Sequence, residues 1–174
     1  ESYAIIGAGP IGLVTTFAAR MRGASTIYVS EKRPERLETA EKMGADETCL
    51  VPQRAFDQFV HERTDGRGAD VAVEAAGELD AVEEVTRLAS IHGKAVIEGI
   101  PPAGRAEVDI NAARRRELTV IFGRRSLHKT DEALELIASG QFDSTLMLTH
   151  EFPLEQAQNA FEHTRDYKNG VIKA

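Results

Sequence analysis

Three glycines at fixed spacing, Gly7, Gly9 and Gly12, stand in the run Ala4-Ile5-Ile6-Gly7-Ala8-Gly9-Pro10-Ile11-Gly12-Leu13. The pattern G-x-G-x-x-G offers one kind of chemistry, the binding of an anion by bare backbone. Gly7 permits a sharp turn out of a strand, and Gly9, lacking Cβ, lets a diphosphate approach the main chain. Gly12 lets the following helix pack close to the strand. The anion then meets free N–H groups at the positive end of the helix dipole. Pro10 suits a first-turn position, where no N–H is needed, and Ile11 follows it inside the turn. The same glycines could also serve a tight turn that binds nothing. Their place between an apolar strand-like run and an amphipathic helical one favours the dinucleotide reading.

A carboxylate strengthens that reading. Glu31 stands at the end of a second strand-like run, Ile27-Tyr28-Val29-Ser30, about twenty residues beyond the turn, where an acid can accept hydrogen bonds from an adenosine ribose. A 2′-phosphate there would meet a like charge, so NAD is expected over NADP. Lys32, Arg33 and Arg36 pull the other way, because cations beside this position are a common grip for a 2′-phosphate.

These residues need a scaffold that brings strand ends together. Six short, near-continuously apolar runs, residues 3–6, 26–29, 47–51, 70–74, 94–98 and 118–122, read as parallel strands covered on both faces. Helical periodicity lies between them, with expected apolar stripes Val14-Phe17-Ala18-Met21, Phe56-Phe59-Val60 and Val82-Val85-Leu88-Ala89. Pro34 fits a helix start, and Gly44, Gly93 and Gly140 fit helix ends. The alternation predicts a single α/β domain, a Rossmann fold with a doubly wound six-stranded parallel sheet. Its ligand would sit along the carboxyl edge of the strands.

Composition narrows the function. The chain has 174 residues, 42% of them hydrophobic and 28% charged, which suits one globular domain with a full core. Its net charge of −7 removes the electrostatic basis for nucleic-acid binding, and its apolar runs are too short to span a membrane. Cys49, the single cysteine, cannot form an internal disulfide, so the cytoplasm is the expected compartment. Cys49 reads as a small buried residue. His61, His92, His128, His150 and His163 are scattered without metal-ligand spacing and read as surface or turn residues, so no catalytic or metal-binding side chain is assigned.

Several further segments carry a family likeness. They are Glu35-Arg36-Leu37, Lys42-Met43-Gly44-Ala45-Asp46, Asp70-Val71-Ala72-Val73-Glu74-Ala75-Ala76-Gly77 and Gly93-Lys94-Ala95-Val96-Ile97-Glu98-Gly99-Ile100, with Phe152-Pro153-Leu154-Glu155-Gln156-Ala157 and Gly170-Val171-Ile172-Lys173 near the end. With the glycine turn, and in this order, the chain resembles the cofactor domain of the zinc-dependent medium-chain alcohol and polyol dehydrogenases over nearly its whole length. The resemblance implies hydride transfer between NAD and a secondary alcohol, polyol or ketone. The catalytic zinc would be held in a preceding domain. It also implies roles for individual residues. Ala75, Ala76 and Gly77 would pass beside the adenine and ribose, and Arg36 would contact the adenosine ribose. Gly99 and Ile100 would meet the nicotinamide ribose and ring. The backbone of Ile121, Phe122 and Gly123 would meet the carboxamide, and Lys173 would supply a cation near the pyrophosphate. Glu98 stands where the family is usually apolar; a carboxylate there either bonds the nicotinamide ribose or faces solvent, the second being favoured. Arg124-Arg125 is more basic than the family pattern and has no assigned role.

Two other readings stay open: an NAD-sensing regulatory module, which shares the glycine turn, and the domain of a zinc-independent quinone reductase using NADPH, a group with a different glycine turn and no acid at the second strand. The segments at 75–77 and 152–154 speak against the first and Glu31 against the second. The chain opens at Glu1 directly on a strand-like run and closes inside the apolar run 170–174, so it is expected to be part of a longer polypeptide. It should therefore bind cofactor but turn nothing over. An apolar strand at the sheet edge, near 118–122, is expected to pair with a second copy to give a homo-oligomer.

Overall fold

The computed structural model describes residues 1–124 and 128–174. The backbone divides into two compact units, Glu1–Gly123 and Arg124–Ala174. The first holds the whole sheet, with β1 (Ser2–Ile6), β2 (Thr26–Glu31), β3 (Glu47–Leu50), β4 (Ala69–Glu74), β5 (Ala89–Ile97) and β6 (Thr119–Phe122). All pairs are parallel and the order is β3-β2-β1-β4-β5-β6. Strand order therefore reverses between β1 and β4, which is where an open α/β sheet opens a crevice for a ligand.

Register decides what lines that crevice. Ile6 pairs with Ser30 on one side and Glu74 on the other, Glu74 with Ile97, and Ile97 with Phe122. The strands thus finish nearly level. Gly7, Glu31, Ala75, Glu98 and Gly123 leave the sheet along one edge.

Helices cover both faces. α1 (Pro10–Met21) and α2 (Pro34–Lys42) pack on β1, β2 and β3, while α3 (Phe56–Arg63) and α4 (Leu79–Leu88) pack together, α4 against β4 and β5; α5 (Ile110–Arg115) lies beside α4. The α3/α4 face is filled by Ala4, Ile6, Tyr28, Phe56, Phe59, Val60, Ala72, Val82, Val85 and Leu88, with Cys49 among them. Successive strand residues alternate faces, so Ile5, Ile27 and Val29, also fully buried, point the other way.

Two sequence expectations change. The buried face of α1 is Gly12, Leu13, Thr16 and Ala19, whereas Val14 and Met21 are exposed. Small residues are needed where the helix lies close on the sheet, and the larger apolar ones fall on its outer side. Gly93 ends no helix. It lies inside β5, which begins at Ala89 directly after α4, and a Cβ there would stand 2.8 Å from the Ser90 carbonyl. His92, with φ 60°, takes the left-handed conformation instead. The other expected caps hold, with Pro34 opening α2 and positive φ at Gly44 and Gly140.

The second unit contains α6 (Thr130–Ala138), α7 (Ala157–Arg165), three short 3-10 turns and an isolated parallel bridge between Leu148 and Lys173. His150, His163 and Phe152 stack in it, with ring centroids 4.7 Å and 5.5 Å apart for the two contacts of His163. Among the described residues no helix is long and apolar enough to cross a membrane.

Phe56 is fully buried and stacks on Phe59, which meets Tyr28 edge-on. Phe56→Ala should cost about 3–5 kcal/mol by urea denaturation. A loss under about 1 kcal/mol would mean that α3 is not a fixed part of this core.

Candidate dinucleotide site

The glycine turn is built as its spacing requires. Gly7 has φ +98°, which a side chain would strain, and its N–H donates to the Ser30 carbonyl at 2.8 Å. A Cβ on Gly12 would lie 1.8 Å from the Gly7 carbonyl oxygen, so α1 can approach β1 only with glycine there. Gly9 is open, and a Cβ on it would have nothing nearer than the Arg36 Nη1 at 3.8 Å. Gly9 is also the N-cap of α1, with no side chain capping the helix and no acid in its first turn. By contrast α5 is capped by Asp109, whose carboxylate accepts the Ala112 N–H at 2.9 Å. Bare backbone, uncapped helix N–H groups and a nearby guanidinium fit a pyrophosphate.

Glu31 is buried, and its carboxylate braces the turn. Oε2 accepts the Ala8 N–H at 3.1 Å, and Oε1 accepts the N–H groups of Lys32 at 2.7 Å and Arg33 at 3.2 Å. Arg33 and Arg36 bring guanidinium nitrogens to 3.6 Å and 3.8 Å of it. Arg36 is nearly as buried as Glu31, so the pair forms a fixed floor beside Gly9. The Lys32 side chain turns elsewhere and donates to Glu78.

Two further loops join the turn. Ala75 and Ala76 pack against the positions of Gly12 and Gly7, and Gly77, with φ +72°, lies against the backbone of Ile100. Gly99 is the tightest point between these two loops. A Cβ on it would fall 2.3 Å from the Glu74 Oε2 and 2.4 Å from the Gly77 nitrogen. Ile100 is largely exposed beyond this junction, as is Ile11 on α1. Gly123 donates its N–H to the Ile97 carbonyl at 2.8 Å, beside an exposed Phe122.

Glu74 was read only as part of a motif, yet it organises both loops. Its side chain is fully buried. Oε1 accepts the N–H groups of Ala76 at 2.8 Å and Gly77 at 2.6 Å, and its carbonyl accepts those of Glu98 and Gly99. Oε2 has no hydrogen-bond partner among the described residues. The available signal was a lone acid closing an apolar strand. Glu98 does not simply face solvent: its carboxylate accepts the Thr15 hydroxyl at 2.8 Å and so ties the β5 loop to α1. That link joins positions too far apart in sequence for spacing to reveal it.

Lys173 belongs to the other unit, where its carbonyl accepts the Thr149 N–H at 3.0 Å. Arg124 is exposed, and Arg125 lies outside the described residues. Cys49 is buried, which pushes its thiol up and away from reactivity. Among the described residues no three His, Cys, Asp or Glu side chains converge as a metal site.

Sheet order and loops of this kind define a dinucleotide-binding module. The family model described as zinc-binding dehydrogenase matches residues 10–139, and the chain belongs to that family. It is 32% identical to a sorbitol dehydrogenase of Bacillus subtilis (strain 168), covering 99% of this chain and 49% of that protein. Among solved structures it resembles alcohol dehydrogenase TADH from Thermus sp. ATN1, with a TM-score of 0.88 and 29% identity over 97% of this chain and 50% of the other. It also resembles a zinc-binding dehydrogenase from Sinorhizobium meliloti 1021 bound to NADP, with a TM-score of 0.79 and 31% identity over 84% of this chain and 44% of that one. The chain therefore spans about half the length of the relatives it matches and corresponds to their nicotinamide-dinucleotide-binding domain.

Gly99→Ala should force the β4–α4 and β5 loops apart, costing about 1–3 kcal/mol as overpacking does. Gly104→Ala, with nothing within 4 Å of its Cβ, is the matched control. Equal melting temperatures for the two variants would show that the Gly99 junction is not tight.

Proposed function

We propose that this chain is the NAD-binding part of an alcohol or polyol dehydrogenase whose zinc ligands and substrate pocket lie in sequence outside these 174 residues. In this reading the backbone of Gly7, Gly9, Pro10, Ile11 and Gly12 holds the pyrophosphate. Glu31 and Arg36 stand beside the adenosine ribose, with Lys32 contributing its backbone and its side chain turned to Glu78, and Ala75, Ala76 and Gly77 pass beside the adenine and ribose. Gly99 and Ile100 meet the nicotinamide end. The backbone of Phe122 and Gly123 meets the carboxamide, the Gly123 N–H being donated to the Ile97 carbonyl. Nicotinamide, when bound, supplies the hydride-transfer chemistry. The apolar residues left exposed near the sheet edge, Ile11, Val14 and Ile100, are surface for the substrate-bearing part. The proposed compartment is the cytoplasm.

The observation that carries the cofactor choice is Glu31 itself. It is buried and fixed by three N–H donors at the end of β2, and in this reading its charge faces the adenosine ribose. A carboxylate offers about four acceptor sites, so a ribose hydroxyl can still be received while a phosphate is repelled. The three neighbouring cations and the NADP bound by one relative favour the second reading, NADP. Calorimetric titration decides between them. NAD is expected to bind about tenfold or more tighter, a difference of ~1.4 kcal/mol, with no alcohol-dependent NAD reduction by the chain alone. Tighter NADP binding would overturn the cofactor choice.

Association is proposed through β6, which ends the sheet with Val120, Ile121 and Phe122 exposed. An unpaired apolar edge favours a second copy. Sedimentation should show a concentration-dependent dimer, and a monomer at every concentration would remove this proposal.

A further inference from the structure

Three cations follow Glu31, and they do not behave alike. Arg33 and Arg36 direct their guanidinium groups toward the Glu31 carboxylate. The Lys32 ammonium instead donates to Glu78, a residue from another part of the fold. Lys32 follows β2, Glu78 follows β4, and β1 lies between those strands. The ion pair therefore reaches over the carboxyl end of β1, across the mouth of the glycine turn.

Helix capping does not explain Glu78. It occupies the N-cap position of α4, yet its side chain caps nothing, and the Ala81 N–H in the first turn is accepted by Asp80 at 3.0 Å. Both partners are about half exposed, 49% for Lys32 and 46% for Glu78, so the pair is held by charge rather than by burial. The hydrogen bond from Lys32 to Glu78 is also the main cause that raises the lysine's pKa.

We propose that Glu78 is a specificity-determining residue: it holds the Lys32 ammonium away from a 2′-phosphate. This rests on the reading that the cofactor is NAD and explains how NAD is favoured beside three cations. A 2′-phosphate and the Glu78 carboxylate are competing partners for one ammonium. Because exposed pairs are weak, the device biases the choice rather than blocking NADP outright.

The test is calorimetric titration of the 174-residue chain with NAD and with NADP at low ionic strength. Glu78→Gln keeps the side-chain size and removes the charge. It should raise the ratio of NADP to NAD affinity about fivefold, the scale of an exposed ion pair. The gain should shrink as salt is added, which a purely structural effect would not do. In a Lys32→Met background the same substitution should produce much less gain, since a double-mutant cycle isolates the pairwise contribution. Matched melting curves establish that each variant is folded. An unchanged ratio in Glu78→Gln overturns the proposal, and so does an equal gain with and without Lys32. The unsubstituted chain reports separately on the underlying reading. If it binds NADP more tightly than NAD, the cofactor choice fails, yet the shift caused by Glu78→Gln is still measured.

Discussion

The carboxyl edge of this sheet is organised by how closely α1 can approach the end of β1. A Cβ at Gly12 would fall 1.8 Å from the Gly7 carbonyl oxygen, a distance no side-chain rotation can absorb, because the backbone fixes the Cβ position and the oxygen is itself main chain. With glycine there, the helix starts immediately after the strand and its first N–H groups face the crevice between β1 and β4. The same approach brings Ala75 and Ala76 against Gly12 and Gly7, so the second loop is placed by the first. Gly77 then rests on Ile100, and Gly99 on Glu74. Each loop is positioned by contact with a neighbour where a single added methyl group would not fit.

Carboxylates finish what the glycines permit. Glu31, Glu74 and Glu98 stand at or just past the ends of β2, β4 and β5. Each accepts from donors of the fold: Glu31 from the glycine turn, one oxygen of Glu74 from Ala76 and Gly77, Glu98 from Thr15 of α1. Acids at this edge would oppose a pyrophosphate if they were left bare. Surrounded by N–H and O–H donors, they act as braces, and the strongest donors still open are those at the start of α1.

The sheet was legible in the sequence because six buried apolar runs separated by helical periodicity admit few arrangements. The glycine turn and Glu31 were legible because their chemistry fixes their spacing. What escaped was set by contacts between distant residues. Counting apolar residues put Val14 and Met21 on the buried face of α1, but a helix this close to its sheet needs small residues, and the buried row is Gly12, Leu13, Thr16 and Ala19. Gly93 was assigned to a helix end because glycine is common there, whereas the chain passes from α4 into β5 without a loop. Glu98 and Glu78 carry no local signature: their side-chain partners, Thr15 and Lys32, lie on other elements, and only the fold brings them together. Glu74 gave only the weak signal of a lone acid closing an apolar strand.

The placement of Glu31 couples two properties that a sequence motif treats as one. Its carboxylate fixes the Ala8 N–H inside the glycine turn and also sets the charge where the adenosine ribose is proposed to lie. Replacing it to admit a 2′-phosphate would therefore loosen the turn that holds the pyrophosphate, and affinity for either cofactor would fall. Selectivity is more freely adjusted at a residue with no such structural duty. Glu78 is of that kind: exposed, uninvolved in capping its helix, and tied to the turn only through the charge of Lys32. A fold that spends its buried acids on backbone can still vary cofactor preference at the exposed rim.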